Sequence, residues 1–176
     1  MTRIILIYGL ISGAVVCAGI MLTFLLPNAH GSVWLGYLIM LVALSSILVG
    51  VKQYRDKELG GVIGFGRAFL VGLGIAVVAG LAYVVVWEAY LALTHYTFAD
   101  AYINSVLAAK RAAHASAAEY RKTVAKMNEF RVDYANPLYR VPMTFSEIFP
   151  VGVLIALVSA ALLRNSRFLP ARAKAA

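Results

Sequence analysis

Four long apolar stretches, at residues 4–26, 33–51, 68–86 and 145–163, contain no Lys or Arg, and nearly all the charge of the chain falls outside them. A helix needs about 20 predominantly apolar residues to cross a hydrocarbon core about 30 Å thick, and each stretch is about 19 residues or longer. The expected fold is therefore all-α: an integral membrane four-helix bundle, a single membrane domain over residues 1–176. Its spans fall at about 4–26, 33–51, 67–90 and 145–163. An amphipathic helical segment at about 97–135 lies between the third and fourth spans. Composition agrees: 62% of the residues are hydrophobic, against about 45–50% in a soluble domain. The first stretch is too long for the apolar region of a signal peptide, about 7–15 residues, and is expected to be a retained span.

The formal net charge is +8. In a soluble protein that would suggest nucleic acid. Here the basic residues flank the spans: Arg3; then Lys52, Arg55, Lys57 and Arg67; then Arg164, Arg167, Arg172 and Lys174. Such residues set topology and attract anionic lipid headgroups. Lys52, Arg55, Lys57 and Arg67 are accordingly candidates for a loop that meets headgroups or a partner, and nucleic acid is not an expected ligand. The 27–32 connection has no Lys or Arg, so the positive-inside rule places both termini and the 52–67 segment in the cytoplasm. Residues 94–143, with Lys110, Arg111, Arg121, Lys122, Lys126, Arg131 and Arg140, then lie outside against that rule. Long segments obey it less well than short ones.

Small residues recur at contact spacing in every span: Gly9 and Gly13; Ser46 and Gly50; Gly72, Ala76 and Gly80; Gly152, Ala156 and Ala160. Helices associate in lipid by close approach, so these rows mark packing faces, either within one bundle or in a homo-oligomer. Trp34 and Tyr37, and Tyr83, Trp87 and Tyr90, stand where headgroups are expected, as an interfacial belt. A binding pocket is the alternative use of the second group.

Residues 97–135 read as two helices, about 98–113 and 117–133, with one continuous helix as the alternative. The boxes Thr97-x-x-Asp100 and Ser116-x-x-Glu119 open them, and Thr144-x-x-Glu147 opens the fourth span. Pro150 removes one backbone donor near the outer end of that span. The glycines of the 52–67 segment match no phosphate loop, since Gly66 is followed by Arg67-Ala68, and no dinucleotide fingerprint, since Phe69 stands where a third glycine belongs.

Several motifs occur together: Gly50-Val51-Lys52-Gln53-Tyr54-Arg55-Asp56-Lys57, Gly60-Gly61, Phe65-Gly66-Arg67-Ala68-Phe69, Trp87-Glu88, Asn136-Pro137-Leu138, and Thr144-Phe145-x-Glu147-Ile148-x-Pro150-Val151-Gly152. The combination resembles the bacterial domain-of-unknown-function 4199 family over most of the chain. That resemblance implies four spans and a bacterial inner membrane, and it implies no activity. Where family members often have a Gly before the second outer helix, this chain has His114-Ala115.

Ionisable groups within a span are functional candidates, which singles out Glu88 and Glu147. Both are expected near the outer interface, Glu147 as the carboxylate of its capping box. Facing each other, they would share a proton or bind a cation. Cys17, alone, forms no internal disulfide and is expected to pack. His30, His95 and His114 lie in the outer segments with no activated nucleophile beside them. No cofactor or metal is implied. The leading expectation is a non-enzymatic inner-membrane protein acting through helix packing, as a homo-oligomer or beside an envelope-protein partner. A small ion-coupled transporter using Glu88 and Glu147 is the alternative. A membrane enzyme acting on a lipid-linked substrate at the outer face is a third.

Overall fold

The computed structural model describes residues 1–25 and 33–171. The 27–32 connection with His30, and the basic positions Arg172 and Lys174, lie outside them. Seven α-helices follow in order: α1 (Thr2–Leu25), α2 (Val33–Leu44), α3 (Ser46–Glu58), α4 (Phe65–Leu93), α5 (Phe98–Ala112), α6 (Ala117–Ala135) and α7 (Pro137–Leu163), with no strand among the described residues. Four segments are long and apolar enough to cross a membrane: Thr2–Met21, Trp34–Glu58, Phe65–Leu93 and Pro137–Leu163. The second contains both α2 and α3. Ser45 interrupts it while keeping helical dihedrals (φ −59°, ψ −20°), and its hydroxyl donates to the Val42 carbonyl.

The chain forms two compact units, Met1–Val85 with the chain from Phe145 onward, and Val86–Thr144. The core of the first is built on close approach. A Cβ on Gly9 would lie 2.5 Å from the Val78 side chain, and one on Gly13 would lie 2.7 Å from the Ala82 methyl. These residues set α1 against α4. Between α4 and α7, a Cβ on Gly72 would meet the Ala156 methyl at 2.9 Å, and one on Gly152 the Ala76 methyl at 2.8 Å. Gly80 faces the Phe145 ring. All these small residues are thus used in contacts within one chain, where apolar attraction alone would not hold helices together in lipid. Ser12, fully buried, bonds the hydroxyl of Ser46 and links α1 to α3. Leu41, Leu70, Val85 and Leu154 remain exposed, as lipid-facing side chains should.

Two expected boundaries shift, and an expected cap on α5 is absent. First, α3 continues past residue 51 through the charged run to Glu58, with Lys52 bonded to Asp56 one turn on. Second, α7 begins at Pro137, where a proline loses nothing because the first helical N–H has no partner. Asn136 Oδ1 accepts from the Leu138 N–H, 3.0 Å. Thr144 is therefore inside the helix and buried, so the Thr144–Glu147 capping box does not exist. The helix runs on through Pro142 and Pro150. Third, Thr97 precedes α5 with helical dihedrals and makes no side-chain cap; its hydroxyl donates to the Thr94 carbonyl. Ser116 does cap α6, accepting from the Glu119 N–H at 3.2 Å.

The second unit contains α5 and α6 as separate helices. His114 ends α5 in the left-handed region (φ 51°), with the Ala115 N–H on the Lys110 carbonyl and the His114 N–H on that of Arg111. This is a Schellman cap, which usually takes glycine. His95 (φ 51°) closes α4 by the same pattern of bonds.

Candidate functional site

Glu88 lies near the end of α4 in the second unit, and its partner is Arg140 in the first turn of α7. Arg140 Nε donates to Glu88 Oε1 and Nη2 to Oε2, each at 2.7 Å. The pair is bidentate, the strongest geometry a guanidinium and a carboxylate can form. Arg140 Nη1 donates to the Tyr134 carbonyl at 2.8 Å and reaches that of Ala135 at 3.5 Å. These carbonyls close the C-terminus of α6, where a cation is also favoured by the helix dipole. The guanidinium carbon lies 5.2 Å from the centre of the Tyr96 ring and 5.7 Å from that of Tyr134. One buried side chain, 3% exposed, thus joins the ends of three helices.

Aromatic packing completes this region. Trp87 Nε1 donates to the Tyr134 hydroxyl at 2.9 Å. Phe98 meets the Trp87 ring edge-on at 4.9 Å, and Phe130 packs on Tyr134 at 5.0 Å. Beside the cluster is a cavity of about 290 Å³. Leu91, Tyr96, Tyr134 and Arg140 form its walls, and the Arg131–Asp100 ion pair, 2.9 Å, lies at its exposed rim. Trp87 and Tyr90 stack on each other at 5.3 Å instead of lining the cavity.

Glu147 belongs to the first unit and has other surroundings. It is exposed on α7, and its Oε2 accepts from the Tyr83 hydroxyl at 3.3 Å. It borders a shallow groove with Gly36, Tyr37 and Met40 of α2. The two candidate carboxylates therefore have different partners, one a buried cation and the other a neutral hydroxyl.

The basic run at the end of α3 also divides. Lys57 and Arg67 are exposed, and Lys52 is half-buried. Arg55 does not face headgroups: it is 0% exposed. Its Nη1 donates to the Phe168 carbonyl at 3.0 Å, its Nη2 to that of Leu169, and its Nε to Asp56 at 2.7 Å. Arg55 is buried because the chain just past the end of α7 presents carbonyls that no helix satisfies, and a planar guanidinium can bond several of them at once.

Arg140 and Arg55 are the buried, multiply bonded side chains that sequence reasoning left out or misplaced. Each had a signal. Arg140 falls in the first turn once Asn136-Pro137 is read as a helix start. Arg55 continues the row Ile47–Val51 at intervals of four, so it shares their buried face if the helix is extended. Among the described residues no group of three His, Cys, Asp or Glu is placed to hold a metal ion.

A family described as "Protein of unknown function (DUF4199)" matches the chain over residues 6–165. No curated protein and no solved structure matches it.

Proposed function

For this chain, which belongs to the DUF4199 family of unknown function, we propose a non-enzymatic role: a multi-pass protein of the bacterial inner membrane that acts by binding a partner. The supporting observation is the way Arg140 engages Glu88 and the end of α6 while a cavity stays open beside it. A site whose charged groups are committed to one another offers shape and rigidity more readily than acid–base chemistry. Aromatic walls with an ionic rim suit an apolar side chain flanked by polar groups, the usual anatomy of a protein anchor point.

The partner in this reading is an envelope protein or a second copy of the chain. Both termini and the end of α3 face the cytoplasm, and residues 94–143 face outward, on the strength of the basic residues at 52–67 and 164–174. Anionic headgroups meet the exposed Lys57 and Arg67.

A photo-crosslinker at Ala99, on the cavity lining, tests the reading in intact cells. A discrete protein adduct is expected there, absent when the crosslinker is moved to the exposed Val132. Adducts to lipid alone, from a protein that is monomeric in detergent, overturn it. Cysteine labelling tests the orientation separately: position 116 should react with an impermeant reagent from outside and position 56 should not. A transport reading loses Glu88, whose two oxygens are both taken by Arg140. Only Glu147 remains to support it.

A further inference from the structure

Among the described residues, Glu147 has no cation beside it. Among the described residues, no Lys or Arg pairs with it, and its one bonded neighbour is the neutral Tyr83 hydroxyl. Its depth makes this unusual. Sixteen residues separate it from Leu163, the last residue of α7, which is about 24 Å along the helix at 1.5 Å per residue. A hydrocarbon core about 30 Å thick, measured from that end, contains it. A carboxylate at that depth, on an exposed face, is costly and marks a functional position unless a partner meets it.

The groove around it indicates what kind of partner. Its volume is about 400 Å³, and it is bordered by Gly36, Tyr37, Met40 and Glu147. Tyr37 is 53% exposed and offers a ring face to a cation. A Cβ on Gly36 would meet nothing within 4 Å, so that side of the groove is open. Met40 adds a flexible, polarizable wall. The site therefore has one negative charge, one aromatic face and otherwise apolar surface. A small hydrated ion would give up its water and receive too few oxygen ligands here, since Ca²⁺ takes six or more and Mg²⁺ demands near-ideal octahedral geometry. A cation whose charge is shielded by its own apolar substituents gives up little hydration and can reach the groove through lipid.

We propose that Glu147 and Tyr37 form a binding site for a lipophilic monovalent cation, of the quaternary ammonium or phosphonium class, in the groove between α2 and α7. Glu147 is the counter-ion and Tyr37 the aromatic wall. The site is separate from the cavity beside Arg140, so the two proposals succeed or fail independently.

The test is equilibrium binding of radiolabelled tetraphenylphosphonium to the full chain in nanodiscs, with empty nanodiscs subtracted. Saturable binding at one site is expected. Glu147→Gln should weaken it about thirtyfold or more, as loss of one partner of a desolvated charge pair does. Tyr37→Ala should weaken it about three- to tenfold, the scale of one cation–π contact. A neutral tetraphenyl analogue should not compete. Thermal unfolding of both variants, unchanged from wild type, shows that they are folded. Equal binding by wild type and Glu147→Gln, or no saturable binding by wild type, overturns the proposal.

Discussion

Arg140 and Glu88, 52 residues apart in sequence, form a two-bond pair in which the cation is the more buried partner: the Arg140 side chain is 4% exposed and that of Glu88 26%. The asymmetry predicts which half of the pair matters more. Glu88→Gln leaves a buried guanidinium with a neutral acceptor, whereas Arg140→Met leaves a carboxylate that can still reach polar surroundings. Removing one partner of a buried pair costs about 3–5 kcal/mol. Glu88→Gln should approach that range and Arg140→Met should fall below it, with the double variant less damaged than the two losses summed. Denaturation in detergent measures all three. The opposite order would mean that packing and capping by Arg140 outweigh its charge.

The packing rows carry a second prediction. Gly72 and Gly80 lie on one face of α4, yet their neighbours differ. A Cβ at 72 meets the Ala156 methyl at 2.9 Å and the Ala156 Cα at 3.2 Å, whereas the nearest neighbour of one at 80 is the Phe145 ring, at 2.6 Å. A ring can rotate or lean away; a helix backbone cannot. Gly72→Ala should therefore cost about 1–3 kcal/mol, the usual penalty of overpacking, and Gly80→Ala clearly less. Val85→Leu, at a 68% exposed position, should be neutral. Equal losses at 72 and 80 would mean that Phe145 is as fixed as the α7 backbone.

What could be read in advance, and what could not, follows from the same physics. Long apolar runs and small-residue spacing are local properties, so the spans and the Gly9, Gly13, Gly72, Ala76, Gly152 and Ala156 rows were visible in the sequence. Helix ends depend on which competing signal wins. Asn136-Pro137 both stops α6 and starts α7. A fourth span read only from its apolar run, from residue 145, leaves Arg140 outside the helix and makes a cap of Thr144. At the other end, the onset of charge marks the limit of the apolar run but not of the helix, which carries Lys52, Asp56 and Lys57 on its outer faces while burying Arg55. Which partners Glu88 and Glu147 find depends on helix rotation, which no single stretch of sequence encodes.

Arg55 gives the third prediction. Its guanidinium bonds carbonyls at Phe168 and Leu169 that lie past the helix end. Arg55→Lys keeps the charge but loses the fork, so one ammonium cannot replace all the bonds. The segment after Leu163 should loosen in that variant. Limited trypsin digestion should show faster cleavage after Arg164 and Arg167 than in wild type, with cleavage between 94 and 143 unchanged. Unchanged cleavage at the tail would show that other contacts hold the segment.

The last prediction concerns His114. Its φ of 51° is the left-handed conformation that completes the Schellman cap of α5, and any residue with a Cβ is strained there by about 1–2 kcal/mol. This chain has His114-Ala115 where the family resemblance implies a glycine, so its sequence leaves one continuous helix as the alternative to a break between α5 and α6. The structure breaks there regardless, because Ser116 caps α6 and its Glu119 pairs with Lys110 across the turn. These bonds hold His114 in its conformation. His114→Gly removes the Cβ strain, although it adds freedom to the unfolded chain. The net effect should be a gain of roughly 0.5–1 kcal/mol, within the range expected from relieving left-handed strain against the entropy of glycine. His114→Ala, which keeps the Cβ, should bring no gain. Thermal unfolding of the two variants side by side decides the matter. A loss of stability in His114→Gly would mean that the imidazole makes a contact worth more than the strain it carries.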